Sequence, residues 1–310
     1  MTDNTEERAL QVRSSIRSDR NWKRTYTICG AAIIALTVII GIFLIYRGSE
    51  SFTKGGHSVF EFLFSSEWKP LDSPGKFGGQ IGSAIYIWGT IITCALGLLI
   101  ALPFSLGAAI FLTEIQPKLG KSLFRPAVEI YVGIPSVVYG WVGMTVLVPW
   151  IRDTFHASKG GYSVLAAAIV LAVMIFPTIT TVSADAINSV SNDYREAAYG
   201  LGSTKWQCIH KVVIPAARSG IFVGVILGLA RALGEALAVA MVIGKMRAFP
   251  SDLLSPTISL TTTIASDMGN TSNGGEYNLA LWSMALLLFI ISMLLIFLIH
   301  HISKKGAENA

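Results

Sequence analysis

Six apolar stretches, parted by polar or glycine-rich segments, set the pattern of the 310-residue chain. They run over Tyr26–Tyr46, Ile85–Leu112, Val128–Trp150, Tyr162–Ala184, Ser219–Ile243 and Leu279–Ile299. A helix needs about 20 predominantly apolar residues to cross the hydrocarbon core of a bilayer. The pattern therefore predicts an all-α integral membrane protein with six transmembrane helices. Pro103, Pro135 and Pro177 fall inside the second, third and fourth stretches. Proline at membrane depth is tolerated where neighbours satisfy the freed backbone groups. Packed and bent helices are expected there, not straight lipid-facing rods.

Composition agrees, with 52% hydrophobic and 14% charged residues. That balance is wrong for a soluble enzyme. The net charge of +5 points to topology and not to nucleic acid, because Lys and Arg collect in cytoplasmic loops of membrane proteins. With the N-terminus inside, fifteen Lys and Arg fall in inside segments, eight in outside segments, and Arg231 in a span. Both termini are thus expected in the cytoplasm of a prokaryotic inner membrane. The division is a cytoplasmic arm (1–25), a first span (26–46), an external loop (47–84), a core (85–300) with a cytoplasmic loop (185–218), and a tail (301–310). No small-residue cleavage site follows the first span, so it is expected to stay uncleaved. Glu129, near the inner end of the third span, is expected to reach the interface. The external loop carries Phe60, Phe62, Phe64 and Trp68, which suits an aromatic segment at the membrane interface or a platform for an external partner. Three cysteines without a CxxC spacing read as small apolar filler.

Residues Glu196–Pro215, EAAYGLGSTKWQCIHKVVIP, interrupt the apolar rhythm. Asp193 and Glu196 have the spacing of a capping pair at a helix start. Ala197 and Ala198 are short enough to allow close approach of another surface. Gly200 and Gly202 break the helix and permit a tight turn. Thr204 and Gln207 are spaced to cap a second helix. Trp206, Ile209 and Val213 recur as an apolar stripe. Pro215 disfavours helix at the preceding residue and marks the return to the membrane. The result is helix, glycine turn, helix, a shape suited to a groove on a peripheral protein. Spacing alone equally allows a loop packed on its own helices.

Within the fifth stretch, Arg231 and Glu235 lie four apart, so they are expected to share one helical face and to pair. An Arg at a helix centre costs on the order of 3 kcal/mol on insertion scales, and such a residue marks a pathway or a partner by default. A guanidinium suits a tetrahedral oxyanion through fixed charge and bidentate hydrogen bonds. The alternative is a structural ion pair that fixes the packing of that helix. The chain has no GxxxxGK[ST] loop and is not expected to hydrolyse ATP itself. No cluster of nucleophile, base and metal ligands marks the spans, which leaves an enzyme reading weak.

The order Glu196-Ala197-Ala198, Gly202, then Val212-x-Ile214-Pro215 resembles the EAA loop of ABC importer permeases. RALGEALAV resembles the RALGE-x-x-AV segment of PstC-type permeases of phosphate importers. IPSVVYG (Ile134–Gly140), EWKPLDSPGKFGG and REAAYGLGSTKW resemble further segments of that family, over roughly Trp68 to Ala240. Ala236 and Leu237 depart from it, standing where Thr and Met are common. The resemblance implies a type I ABC importer permease fold. It implies that Glu196, Ala197, Ala198, Gly202 and Pro215 belong to a coupling helix seated in a cleft of the ATPase. It implies a second permease (PstA-like), an ATPase dimer (PstB-like) that binds the ATP, and an external phosphate-binding protein (PstS-like). No cofactor is implied in this chain. Arg231 and Glu235 are implied in the pathway or gate, Arg231 either attracting the anion or steadying the gate through Glu235. Two rival readings stay open: a permease for another oxyanion such as sulfate or molybdate, and an ATPase-independent anion carrier.

Overall fold

The computed structural model describes the backbone of residues 3–73, 75–157 and 159–308; side chains of residues 1–20, 121, 125, 129, 299, 300 and 302–310 are not described. The expectation for Glu129, and the side chains of most of the arm and tail, lie outside the described residues. Helix α1 (Asp3–Thr53) joins the arm and the first span in one element and runs past the predicted end at Tyr46. Helix α2 (Val59–Phe64) and a hairpin of β1 (Trp68–Lys69) with β2 (Gln80–Ile81), Trp68 opposite Ile81, build the first long loop. Helix α3 (Ala84–Ile110) continues as a π-helix through Ile115.

The return is made of short pieces: α4 (Pro117–Leu119), a π turn, α5 (Arg125–Gly133), α6 (Ser136–Val142), a second π turn and α7 (Val148–Phe155). Helix α8 (Val164–Asn188) leads to α9 (Asn192–Gly200) and α10 (Lys205–Cys208). A π turn over Ile209–Val213 joins α10 to α11 (Ile214–Gly234). Helices α12 (Leu237–Val242), α13 (Leu260–Asp267) and α14 (Glu276–Glu308) complete the chain. Five helices are long and apolar enough to cross a membrane, or six if the bent pair Pro117–Gly133 and Ser136–Phe155 counts as one span.

Two predicted spans are therefore not single helices. The third bends by 89° at Ile134-Pro135. Pro135 has no N–H and pushes the preceding residue out of the helical region; Ile134 sits at φ −72°, ψ 126°. The fifth breaks after Gly234, where Glu235 adopts ψ 118°. Pro103 and Pro177 behave differently and stay within unbroken α3 and α8. The ring of Pro177 deprives the carbonyl of Val173, four residues back, of its amide donor. The hydroxyl of Tyr131, from α5, donates to that carbonyl at 2.9 Å.

The main core lies between α3, α8 and α11, around Leu171, Ile175 and Ile179. Gly220, Gly224 and Gly228 recur every fourth residue on the α11 face toward α8. A Cβ at Gly228 would meet the Ile179 side chain at 2.6 Å, and one at Gly220 would meet Ala186 at 2.5 Å. Missing side chains thus let the two backbones pack closely, the small-residue contact that drives helix association in lipid. These pairs make α8 and α11 antiparallel. Gly41 beside Phe289 and Gly48 beside Leu286 do the same for α1 and α14. Helices α9 and α10 accordingly lie at the end of the bundle that carries both chain termini.

The opposite, loop end has its own core of Phe62, Trp68, Ile81, Tyr86 and Leu281. The aromatic loop divides there: Phe62 and Trp68 are buried, Phe60 and Phe64 exposed. Its organiser is Glu276, 2% exposed, a residue the sequence pattern did not single out. Its carboxylate accepts the amides of Leu71 (2.7 Å), Gly78 (2.8 Å) and Gly79 (3.0 Å), and His57 Nε2 lies 2.7 Å from Oε1. One carboxylate thus gathers the loop that precedes α3 onto the start of α14. Hydrogen bonds to a charged group contribute about 1.5–3 kcal/mol each. Glu276→Gln turns one acceptor into a donor facing these amides. It should open the loop at residues 57–79, at a cost of about 3 kcal/mol. Limited proteolysis checks this: new cleavage in that loop is expected while the spans stay protected.

Candidate coupling element and transport path

The interrupted stretch folds as a helix–turn–helix, with several changes from the sequence reading. First, the cap of α9 is Ser191, whose Oγ accepts the amide of Asp193 at 3.2 Å. Asp193 instead lies in the first turn, where a carboxylate favours the helix dipole. Second, only Gly202 makes the turn. It sits at φ +80°, a region costly for residues with a Cβ, whereas Gly200 closes α9 without a positive φ. Third, the apolar stripe divides. Ile209 and Val213, at the two ends of the π turn, are buried, but Trp206, before it in α10, is 62% exposed.

The cap of α10 is as read: Gln207 N donates to Thr204 Oγ1 at 3.3 Å, and Thr204 N donates to Gln207 Oε1 at 2.9 Å. Glu196, Ala197 and Gly202 are exposed, beside Leu201 at 88% exposure. Ala198 faces the other way and is buried with Ile187, Cys208 and Val213. Its small size serves packing within this chain and not the approach of a second surface. Pro215 does not end a helix either. It occupies the first turn of α11 after the π turn, where a missing N–H is tolerated, so Lys205–Gly234 runs as one long element.

The expected Arg231–Glu235 pair does not form among the described residues. The break after Gly234 ends the helical register that would have brought the two together. Arg231 Nη1 donates to Thr178 Oγ1 of α8 at 3.0 Å. Glu235 turns to the break itself: Oε1 accepts the amide of Ala238 at 3.1 Å, and its carbonyl accepts the hydroxyl of Thr261 at 3.0 Å. Glu235 is thus a brace at the start of α12, where a carboxylate satisfies exposed amides. Arg231, half-buried, keeps guanidinium donors that a hydroxyl does not use. Thr178 and Thr261 escaped the sequence reading. Thr178 has a local signal only in following Pro177, and Thr261 has none. A cleft of about 640 Å³ opens beside α12, lined by Tyr162, Met241, Lys245 and Ser266 among others.

Apolar helices, some of them interrupted, with an exposed helix–turn–helix between α8 and α11, make up the fold, which is that of a type I ABC importer permease. The chain belongs to the family described as binding-protein-dependent transport system inner membrane component, which matches residues 101–307. It is 45% identical over 96% of both chains to "Probable ABC transporter permease protein YqgH" of Bacillus subtilis. It is 36% identical to the phosphate transport system permease protein PstC of Mesorhizobium japonicum, over 87% of this chain and 86% of that one. A solved bacterial alginate ABC transporter shares the fold, with TM-score 0.63 and 17% identity over 93% of this chain and 96% of that one. A chain of the MetNI methionine ABC transporter does so at TM-score 0.55 and 19% identity, over 71% and 94%.

The turn geometry separates the two glycines experimentally. Gly202→Val should destabilise the α9–α10 turn by about 1–2 kcal/mol, the cost of a Cβ in a left-handed conformation. Gly200→Ala should be near neutral, because a Cβ there meets nothing within 4 Å. Protease sensitivity at the turn should rise in the first variant alone.

Proposed function

We propose that this chain is one of two membrane-spanning permease subunits of an ATP-driven importer of inorganic phosphate. It forms half of the translocation pathway, with both termini and the α9–α10 element in the cytoplasm. The observation that carries the reading is Arg231, an intramembrane guanidinium bonded to a hydroxyl and free of a carboxylate partner among the described residues. Such a group is costly at this depth and suited to a tetrahedral oxyanion. Relatives named PstC, at 36% and 34% identity, support phosphate as the cargo. The charge bias of the loops supports the orientation.

In this reading the partners are a second permease of the PstA kind, an ATPase dimer of the PstB kind and an external binding protein of the PstS kind. ATP is bound by the ATPase, and this chain needs no cofactor. ATP binding closes the ATPase dimer and draws the α9–α10 elements of the two permeases together. Glu196, Ala197 and Gly202 lie on the exposed face that meets the ATPase; Ala198 supports it from within, and the exposed Pro215 starts α11 behind it. The rigid-body movement opens the path outward. Phosphate released by the binding protein meets Arg231, and hydrolysis resets the gate. Glu235 acts at the gate by bracing the α11–α12 break and not by pairing with Arg231.

The test is ATP hydrolysis by the complex reconstituted with its partners, with phosphate, sulfate or molybdate added in turn. Stimulation by phosphate alone is expected. Stimulation by another anion would keep the fold and move the cargo, an arm that matters because the relative at 45% identity bears no cargo in its name. Uptake that persists without the ATPase would sink the importer reading. Arg231→Gln should lower phosphate uptake by at least about tenfold, the loss of one transition-specific interaction, while the complex still assembles. Unchanged uptake would return Arg231 to a packing role.

A further inference from the structure

Arg195, the residue before the exposed Glu196, has no part in the outer face of the coupling element. Its side chain is 16% exposed and points back toward the bundle. Nη2 donates to Glu114 Oε1 at 2.7 Å and Nε to the same oxygen at 3.3 Å. Glu114, 10% exposed, stands in the π turn that ends α3, 81 positions away in sequence. The same guanidinium reaches the end of α8: Nη2 donates to the carbonyl of Ile187 at 3.0 Å and Nη1 to that of Val190 at 2.6 Å. Nη1 also touches Ser191 O and Asn192 Oδ1, at 3.4 and 3.5 Å. The planar fork thus ties α9 to the ends of two long helices at once. The last carbonyls of α8 lack intrahelical donors, and a cation there is favoured by the helix dipole.

We propose that Arg195 is a positioning residue that makes α9–α10 and the adjoining ends of α3 and α8 move as one body. The proposal rests on the importer reading and deepens it, by naming the strut through which nucleotide-driven movement reaches the spans. Without it, α9 is held to α8 by the three-residue link Ser189–Ser191 and by the small apolar contacts around Ala198. Lysine cannot replace it, because a compact ammonium with three donors does not reach a carboxylate and two carbonyls in one plane.

The experiment uses the assembled complex with spin labels at Leu201, on the exposed turn, and at Ile115, beside Glu114. In the unmodified protein the label spacing should stay constant when ATP and vanadate are added. In Arg195→Lys and Glu114→Gln it should shift with nucleotide. The ratio of binding-protein-stimulated to basal hydrolysis should fall about tenfold, with assembly and basal hydrolysis retained. A spacing that already shifts in the unmodified complex overturns the strut, as does unmodified behaviour in both variants. If Arg195→Lys fails to assemble, Glu114→Gln, which keeps the carbonyl bonds, decides on the same readouts. Loss of assembly in both variants reduces the contact to a structural clamp and overturns the proposal. An error in the cargo assignment shows separately, as a lack of phosphate stimulation while the label spacing still responds as described.

Discussion

Backbone amides and carbonyls inside a bilayer have no water to turn to, so any departure from regular helix must find its partners within the protein. This chain departs repeatedly, and side chains meet several of the departures. Tyr131 supplies the donor that Pro177 removes from Val173. Glu235 and Thr261 hold the break between α11 and α12. Thr90 Oγ1 accepts the amide of Leu260 at the start of α13. Each of these contacts joins segments that are distant in sequence or covers a point where the helix stops. The irregular segments are therefore ordered parts of the bundle, and the bundle depends on them for its shape.

The same constraint separates two charged residues that look like a pair. Arg231 and Glu235 lie on opposite sides of a helix end. The acid satisfies backbone at the break, and the base reaches across to α8. In the proposed function this gives them different duties. The guanidinium stays available to an anion, and the carboxylate fixes the geometry from which it is offered. The small residues along α11 contribute by bringing α8, and with it Thr178, within reach of Arg231.

The two ends of the molecule are built on different principles. At the loop end a buried carboxylate, Glu276, collects backbone amides and so shapes a surface that in the importer reading meets an external protein. At the termini end a single cation, Arg195, collects carbonyls and a carboxylate beneath an exposed turn. Each is a charge with its hydrogen-bonding capacity largely filled, the condition under which a buried ionic group holds a structure and does not weaken it.

The six apolar stretches, the helix–turn–helix with its Thr204–Gln207 cap, and the intramembrane Arg231 were legible in the sequence, because each rests on local spacing or on a transfer cost that one residue carries alone. Local spacing also marked where prolines fall. It did not tell Pro177, inside a continuous helix, from Pro135, at an 89° bend; at both, a tyrosine hydroxyl reaches the carbonyl four residues back, Tyr131 to Val173 and Tyr139 to Tyr131. The break at Glu235, the inward turn of Ala198 and the exposure of Trp206 were likewise decided only in three dimensions, by what packs against each segment. Glu276 with His57, 219 positions apart, and Arg195 with Glu114 carried no sequence signal. Their partners are brought together by helix packing, and a one-dimensional pattern contains no record of which buried charge will find which backbone group.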